Sequence, residues 1–264
     1  MNEVRERPPV GTLLRDWRQR RRLSQLDLAL DAGVSARHLS FVETGRSKPS
    51  SEMVLHLAEQ LEVPLRDRNQ LLLAAGYAPV YGQRELDDPE MQPVREAIEL
   101  VLGGHEPYPA LLVDQHWEMV AANRGVALIT EGVAPDLLEP PVNALRVALH
   151  PEGMAPRILN LAEWRAHLLE RLARQIAVTS DPQLTTLYEE LAAYPAPPLE
   201  SNGGHSVAND IVVSLKLDGG DRELSFFSTV TTFGTAVDIT VAELAIESFF
   251  PADKATAEFL RAYL

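Results

Sequence analysis

The sequence predicts two domains: a helical N-terminal domain and, after it, an α+β domain with a helical insertion. Three observations carry this. The chain has 264 residues, about where a single hydrophobic core stops growing and chains divide. Up to residue 76 its apolar residues recur at helical spacing, punctuated by Gly33, Gly45 and Gly76. Beyond residue 109 short strand-type runs appear at 110–113, 211–217 and 224–231, with helical patterns between them.

Composition narrows the function. The net charge of −14 is unevenly divided: residues 1–85 hold 13 basic against 11 acidic residues, and residues 86–264 hold 11 against 27. Within residues 5–50 the count is 10 basic to 5 acidic. A positive field confined to that stretch suits a polyanion there, while the acidic remainder speaks against a membrane surface. Cysteine is absent, which removes disulfides, thiolate catalysis and cysteine zinc sites and fits a reducing cytoplasm. No apolar run reaches the ~18 residues of a membrane span, and the start, with Glu3 and Glu6, has no signal-peptide core. A cytoplasmic protein without membrane attachment is expected.

In chain order, residues 1–9 end in Pro8-Pro9 and are expected to be extended. A first helix runs from Val10 to Arg22. Leu13, Leu14 and Trp17 form its apolar stripe, and Arg15, Arg18 and Arg20 to Arg22 make its other faces basic. Ser24 caps a second helix, with Asp27 completing a near capping box, and Gly33 ends it. Ser35 caps a third helix, held by Leu39 and Val42 and ended by Gly45. A fourth follows Ser50 or Ser51, with Met53, Val54, Leu57, Ala58 and Leu61 inward. A fifth spans 66–75. Residues 1–76 thus form a five-helix domain, and residues 77–90, rich in breakers and ending in acidic Asp87-Asp88-Pro89, read as a linker.

A short polar helix held by a two-residue apolar stripe has the dimensions of a major-groove reader. The stretch LSQLDLALDAGVSARHLSFVETGRSKPS resembles the helix-turn-helix of lambda-Cro-repressor-like (Xre-type) regulators, through Ser24-Gln25, Leu28-Ala29, Gly33-Val34-Ser35, Leu39, Glu43, Gly45-Arg46 and Pro49. The resemblance implies double-stranded DNA as partner. Ser35, Ala36, Arg37 and His38 are then expected to face base edges, with Phe41 one turn on, either against a thymine methyl or in the core. Gln25, Arg15, Arg18, Arg22, Arg46 and Lys48 are expected on phosphates. The resemblance also implies a second role for Arg18, pairing with Glu43 to brace the first helix against the third. One domain of this size reads few base pairs, so a homodimer on a two-fold site is expected.

The rest of the chain, 91–264, begins with a helix over 91–102. A strand hairpin follows, Ala110–Val113 with Trp117, Met119 and Val120, then a short helix through Val126, Leu128 and Ile129. Helices are expected over 143–149, 159–177 and 184–193. Strands over 211–217 and 224–231 flank a Gly219-Gly220 turn, a third strand is expected at 235–240 with Val237 and Ile239 inward, and a helix closes 253–263. This order suggests a PAS-like α+β sensor domain with a helical insertion.

LVDQHWEMVAAN, Leu149–Gly153, residues 226–253 and AGYAP at 75–79 resemble the MmyB-like regulators, in which an Xre-type helix-turn-helix precedes a PAS-like ligand-binding domain. That resemblance implies a transcription regulator with a small apolar, fatty-acid-like ligand. Trp117, Met119, Trp164, Leu168, Phe226, Phe227 and Phe233 are candidates for the pocket wall or for plain core. His150, Thr231 and Thr232 are candidates for a polar head group, and His150 equally for a helix-end cap.

Enzyme signatures are missing. The seven histidines form no i,i+4 pair, and the chain has no HExxH, P-loop, G-x-G-x-x-G or G-x-S-x-G. No catalytic residue, metal or cofactor is expected. Two rival readings are an interaction module whose helix-turn-helix does not bind DNA and an enzyme in the C-terminal domain.

Overall fold

The computed structural model describes residues 8–198 and 213–263. They fall into two compact units. The described residues up to Glu85, together with Thr235–Ala242, form the first, and Leu86–Gly234 with Glu243 onward form the second.

The first unit opens with α1 (Val10–Arg20), α2 (Gln25–Asp31), α3 (Ala36–Glu43), α4 (Ser51–Gln60) and α5 (Leu65–Ala74), the five helices expected. Their starts obey local chemistry. Ser24 accepts from the Asp27 amide while Asp27 accepts from Ser24, a complete capping box. Ser35 and Ser50 cap α3 and α4 in the same manner. Gly33 (φ +62°) and Gly45 (φ +73°) take the left-handed backbone at the two bends. Leu14, Leu28, Leu39, Leu57 and Leu72 meet in one core. Gly11 lets α1 lie on the end of α3: a methyl group there would sit 2.3 Å from the Val42 carbonyl oxygen.

The second unit runs α6 (Gln92–Gly104), β1 (Ala110–Val113), β2 (Met119–Ala122), α7 (Val126–Ile129), α8 (Ala144–Leu149), α9 (Leu161–Thr179), α10 (Pro182–Ala193), β3 (Leu215–Asp218) and β4 (Glu223–Thr232). A one-turn helix, α11 (Ile239–Ala242), belongs to the first unit, and β5 (Ala245–Pro251) and α12 (Lys254–Tyr263) complete the second. The sheet is antiparallel in the order β2-β1-β5-β4-β3, which puts the last strand at its centre. Ile98 and Leu102 of α6 cover one face with Ala110, Leu112 and Ile246. The helical insertion covers the other, with Trp164, Leu168, Leu172 and Leu191 against Leu111, Phe226 and Phe249.

Two expectations change. Residues 235–240 are not a strand. Asp238 instead starts α11, its Oδ1 accepting from the Thr240 amide at 2.9 Å and its Oδ2 from Arg84 at 2.9 Å, while Val237 is exposed. The third strand is β5, and it has no alternation to detect because a central strand is buried on both faces. Of the strand expected at 211–217, residues 211 and 212 lie outside the described residues.

Candidate functional site

The helix-turn-helix buries one face and presents the other. The Ser35 cap leaves Ser35 and Arg37 exposed at the start of α3, with Ala36 and His38 half-buried, while Leu39 and Val42 enter the core. Phe41 is half-buried and is not among the core residues. The Arg37 guanidinium lies 5.4 Å from its ring centre and that of Arg46 5.9 Å. The ring therefore holds two cations side by side, each contact worth ~0.5–1 kcal/mol at an exposed site. Arg46 reaches this place because Gly45 turns left-handed and the Arg46 amide donates to the Phe41 carbonyl oxygen at 2.8 Å.

The expected phosphate contacts separate into two sets. Arg22, Arg46 and Lys48 are exposed, and Lys48 Nζ stands 5.1 Å over the Tyr77 ring, whose hydroxyl donates to the Pro49 carbonyl oxygen at 2.9 Å. Arg18 turns inward. It is 9 % exposed; its Nε and Nη2 donate to the two Glu43 oxygens at 2.7 and 2.9 Å, and its Nη1 to the Leu23 carbonyl oxygen at 2.7 Å. With its fork fully engaged, Arg18 is placed in the bracing role and not on a phosphate. Gln25 Nε2 donates to Glu43 at 2.8 Å, and half-buried Arg15 donates to the Glu43 carbonyl oxygen at 3.2 Å. Burial pushes the Glu43 carboxyl up, but hydrogen bonds from Arg18 and Gln25 outweigh it and hold Glu43 below its ordinary value. Arg21, read from sequence as part of the basic face, caps α4 by donating to the carbonyl oxygens of Leu61 and Glu62 at 2.8 and 2.9 Å.

In the second unit a cleft of about 640 Å³, open mouth included, lies between the sheet and the helical insertion. A water molecule's centre can move through about 70 Å³ of it, so it is narrow. Trp117, Met119, Trp164 and Leu168 line it, and all four also pack in or against the core. Phe226, Thr231, Phe233 and His150 do not line it. Phe226 is fully buried in the core, edge-on to Phe249, which does line the cleft. Thr231 pairs with Ile246, and Phe233 packs in the cluster under α6; both lie on the opposite face, because successive strand residues alternate sides. His150 ends α8, where its Nδ1 accepts from the Glu152 amide at 3.1 Å and its ring meets Tyr194, so it takes the helix-end role. Phe227 stacks on Phe250, a strand neighbour of Phe249 and so on the face away from the cleft.

Sequence reasoning missed the polar end of this cleft. Among the described residues Glu247 of β5 is the only ionisable one lining it, and it is 6 % exposed. Arg171 of α9 donates to Glu247 Oε1 at 3.0 Å and lies 4.3 Å over the Trp117 ring. Trp117 holds a left-handed backbone (φ +67°), a strained choice for a bulky residue. Its Nε1 donates to Gln175 at 2.9 Å and its carbonyl oxygen accepts from the Ala144 amide at 2.9 Å, which fix the ring in the wall. Positive φ at tryptophan leaves no trace in sequence, and Glu247 looks like a surface residue in AIESFF. Among the described residues no group of three or more His, Asp or Glu side chains could hold a metal ion.

A braced helix-turn-helix with an exposed basic face, in a chain that also carries an apolar cleft in an α+β unit, defines a class of DNA-binding protein with a ligand-binding domain. The family model described as "MmyB-like transcription regulator ligand binding domain" matches residues 94–262, and the one described as "Helix-turn-helix" matches residues 14–67. The chain belongs to the MmyB-like transcription regulators: it is a DNA-binding regulator with a ligand-binding domain. No curated protein matches it significantly. No helix among the described residues is long and apolar enough to cross a membrane.

Proposed function

We propose that the protein is a cytoplasmic, sequence-specific regulator that binds double-stranded DNA as a homodimer. Its α+β domain, PAS-like in arrangement, senses a small apolar ligand with a fatty-acid-like chain, and ligand binding shifts DNA affinity or oligomeric state. The observation that carries this reading is the exposed start of α3, where Arg37 stands beside the Phe41–Arg46 pair on a helix whose far end is braced by Arg18 and Glu43. Arg37 is the base reader, its planar fork suited to guanine O6 and N7, and Arg22, Arg46 and Lys48 hold the backbone. The narrow cleft, walled almost wholly by apolar side chains, supports the sensor half. The strand order, with α6 on one face of the sheet and the helical insertion on the other, supports the PAS-like arrangement.

The test is binding selection on randomised DNA followed by fluorescence anisotropy across a salt series. Arg37→Ala is expected to flatten preference at one base position, at ~1–3 kcal/mol. Lys48→Ala is expected to weaken all sequences alike and to reduce the salt slope by about one. Uniform loss in both variants would remove Arg37 from base reading.

A further inference from the structure

We propose that the cleft selects its ligand by a hydrogen-bond-donating head group, a hydroxyl or an amine on an aliphatic chain, received by the Glu247 carboxylate. This rests on the cleft being the ligand site and adds the chemistry of its polar end.

The walls set the body of the ligand. Around Glu247 they are apolar, formed by Leu111, Val126, Ile129, Met154 and Phe249 among others. Of the other polar side chains facing the cleft, the Thr130 hydroxyl donates to the Val126 carbonyl oxygen at 2.9 Å and the Trp117 indole N–H to Gln175, while the Trp164 indole N–H has no hydrogen-bond partner among the described residues. Glu247 is committed at one oxygen only. Oε1 accepts from Arg171, and among the described residues Oε2 has no hydrogen-bond partner. The one sealed side-chain polar atom left unbonded among the described residues is Arg165 Nε, so Glu247 Oε2 is not sealed off and opens onto accessible space. A ligand entering this cleft thus meets an acceptor, and a donor completes it.

Arg171 does not offer the opposite recognition. It is not part of the lining; its guanidinium is held over Trp117 and tied to Glu247. A ligand carboxylate would have to displace Glu247 from Arg171 or lie beside a second carboxylate in an apolar cleft, and either arrangement is costly. The strained Trp117 backbone and its two hydrogen bonds hold this polar end in place before any ligand arrives.

The experiment compares four ligands of equal chain length on the full-length protein, each below its aggregation concentration: decanol, decylamine, methyl decanoate and decanoate. Quenching of tryptophan fluorescence reads binding, since two of the three tryptophans line the cleft. Decanol and methyl decanoate are both uncharged, so their ratio isolates the donor from the protein's net charge. Decanol and decylamine are expected to bind about tenfold or more tighter than methyl decanoate and decanoate. Glu247→Gln, whose amide both donates and accepts, is expected to narrow that ratio to about threefold or less. The inference is overturned if methyl decanoate or decanoate binds as tightly as decanol to the unmutated protein. That ranking needs no variant, so it decides the matter even if Glu247→Gln fails to fold. If none of the four binds, the cleft is not the ligand site, and the reading beneath this inference falls with it.

Discussion

Glu43→Ala would remove the acceptor on which the helix-turn-helix converges. The Glu43 side chain is fully buried and takes two hydrogen bonds from Arg18 and one from Gln25. Truncation leaves the Arg18 guanidinium buried without a counter-charge, a loss of about 3–5 kcal/mol. A domain whose total stability is on the order of 5–15 kcal/mol would be left marginal. Arg18→Ala costs less, since Glu43 keeps Gln25 and Arg15. The double variant has no orphaned charge, so it is expected to cost less than the two single changes added, by about 1–3 kcal/mol. Native-state hydrogen exchange of α1 and α3 amides reads each free energy within this unit. Loss of less than about 1 kcal/mol in Glu43→Ala, or additivity within about 0.5 kcal/mol, would refute the brace.

Three further outcomes follow. Because Glu43 titrates below its ordinary value in the fold, its contribution is present above the unfolded carboxylate range and is lost as pH falls through the folded value; exchange protection of α1 and α3 should drop in acid, and Glu43→Gln should lack that part of the slope. Gly11→Ala pushes a methyl group to 2.3 Å from Val42 O and 2.8 Å from Glu43 O, so α1 must move off α3 at about 1–3 kcal/mol; an unchanged melting temperature would mean that the helices do not pack this closely. Burial, and then the Glu190 carboxylate, push the Tyr194 hydroxyl up to about 12; ultraviolet titration should show one late tyrosine that Tyr194→Phe removes, and the stability held by neutral Tyr194 should be lost as pH rises towards that value.

The first unit was legible because its signals are local. Serine caps, left-handed glycines and i,i+3 stripes act within a few residues, and all five helices follow from them. The same local reading could not divide the arginines. Arg18 and Arg22 look alike in RQRRR and its surroundings, but one is inside and one outside, because helical phase carries Arg18 towards Glu43, 25 residues away. In the second unit the long helices and the β3–β4 turn at Gly219-Gly220 were legible, and β5 was not, since a strand covered on both faces shows no period.

By itself, then, the sequence determined a helical basic reader, an acidic α+β partner domain, and two of the tryptophans that line the cleft. Only the tertiary structure decided which cations remain exposed and which charged group lines the cleft. Glu247 sits in the cleft because β5 lies at the sheet centre, opposite Leu111 of β1, and because Arg171 from α9 arrives 76 residues away along the chain to partner it. Chain neighbours cannot encode such a meeting; it exists only where strand order and helix packing bring distant charges together in an apolar place.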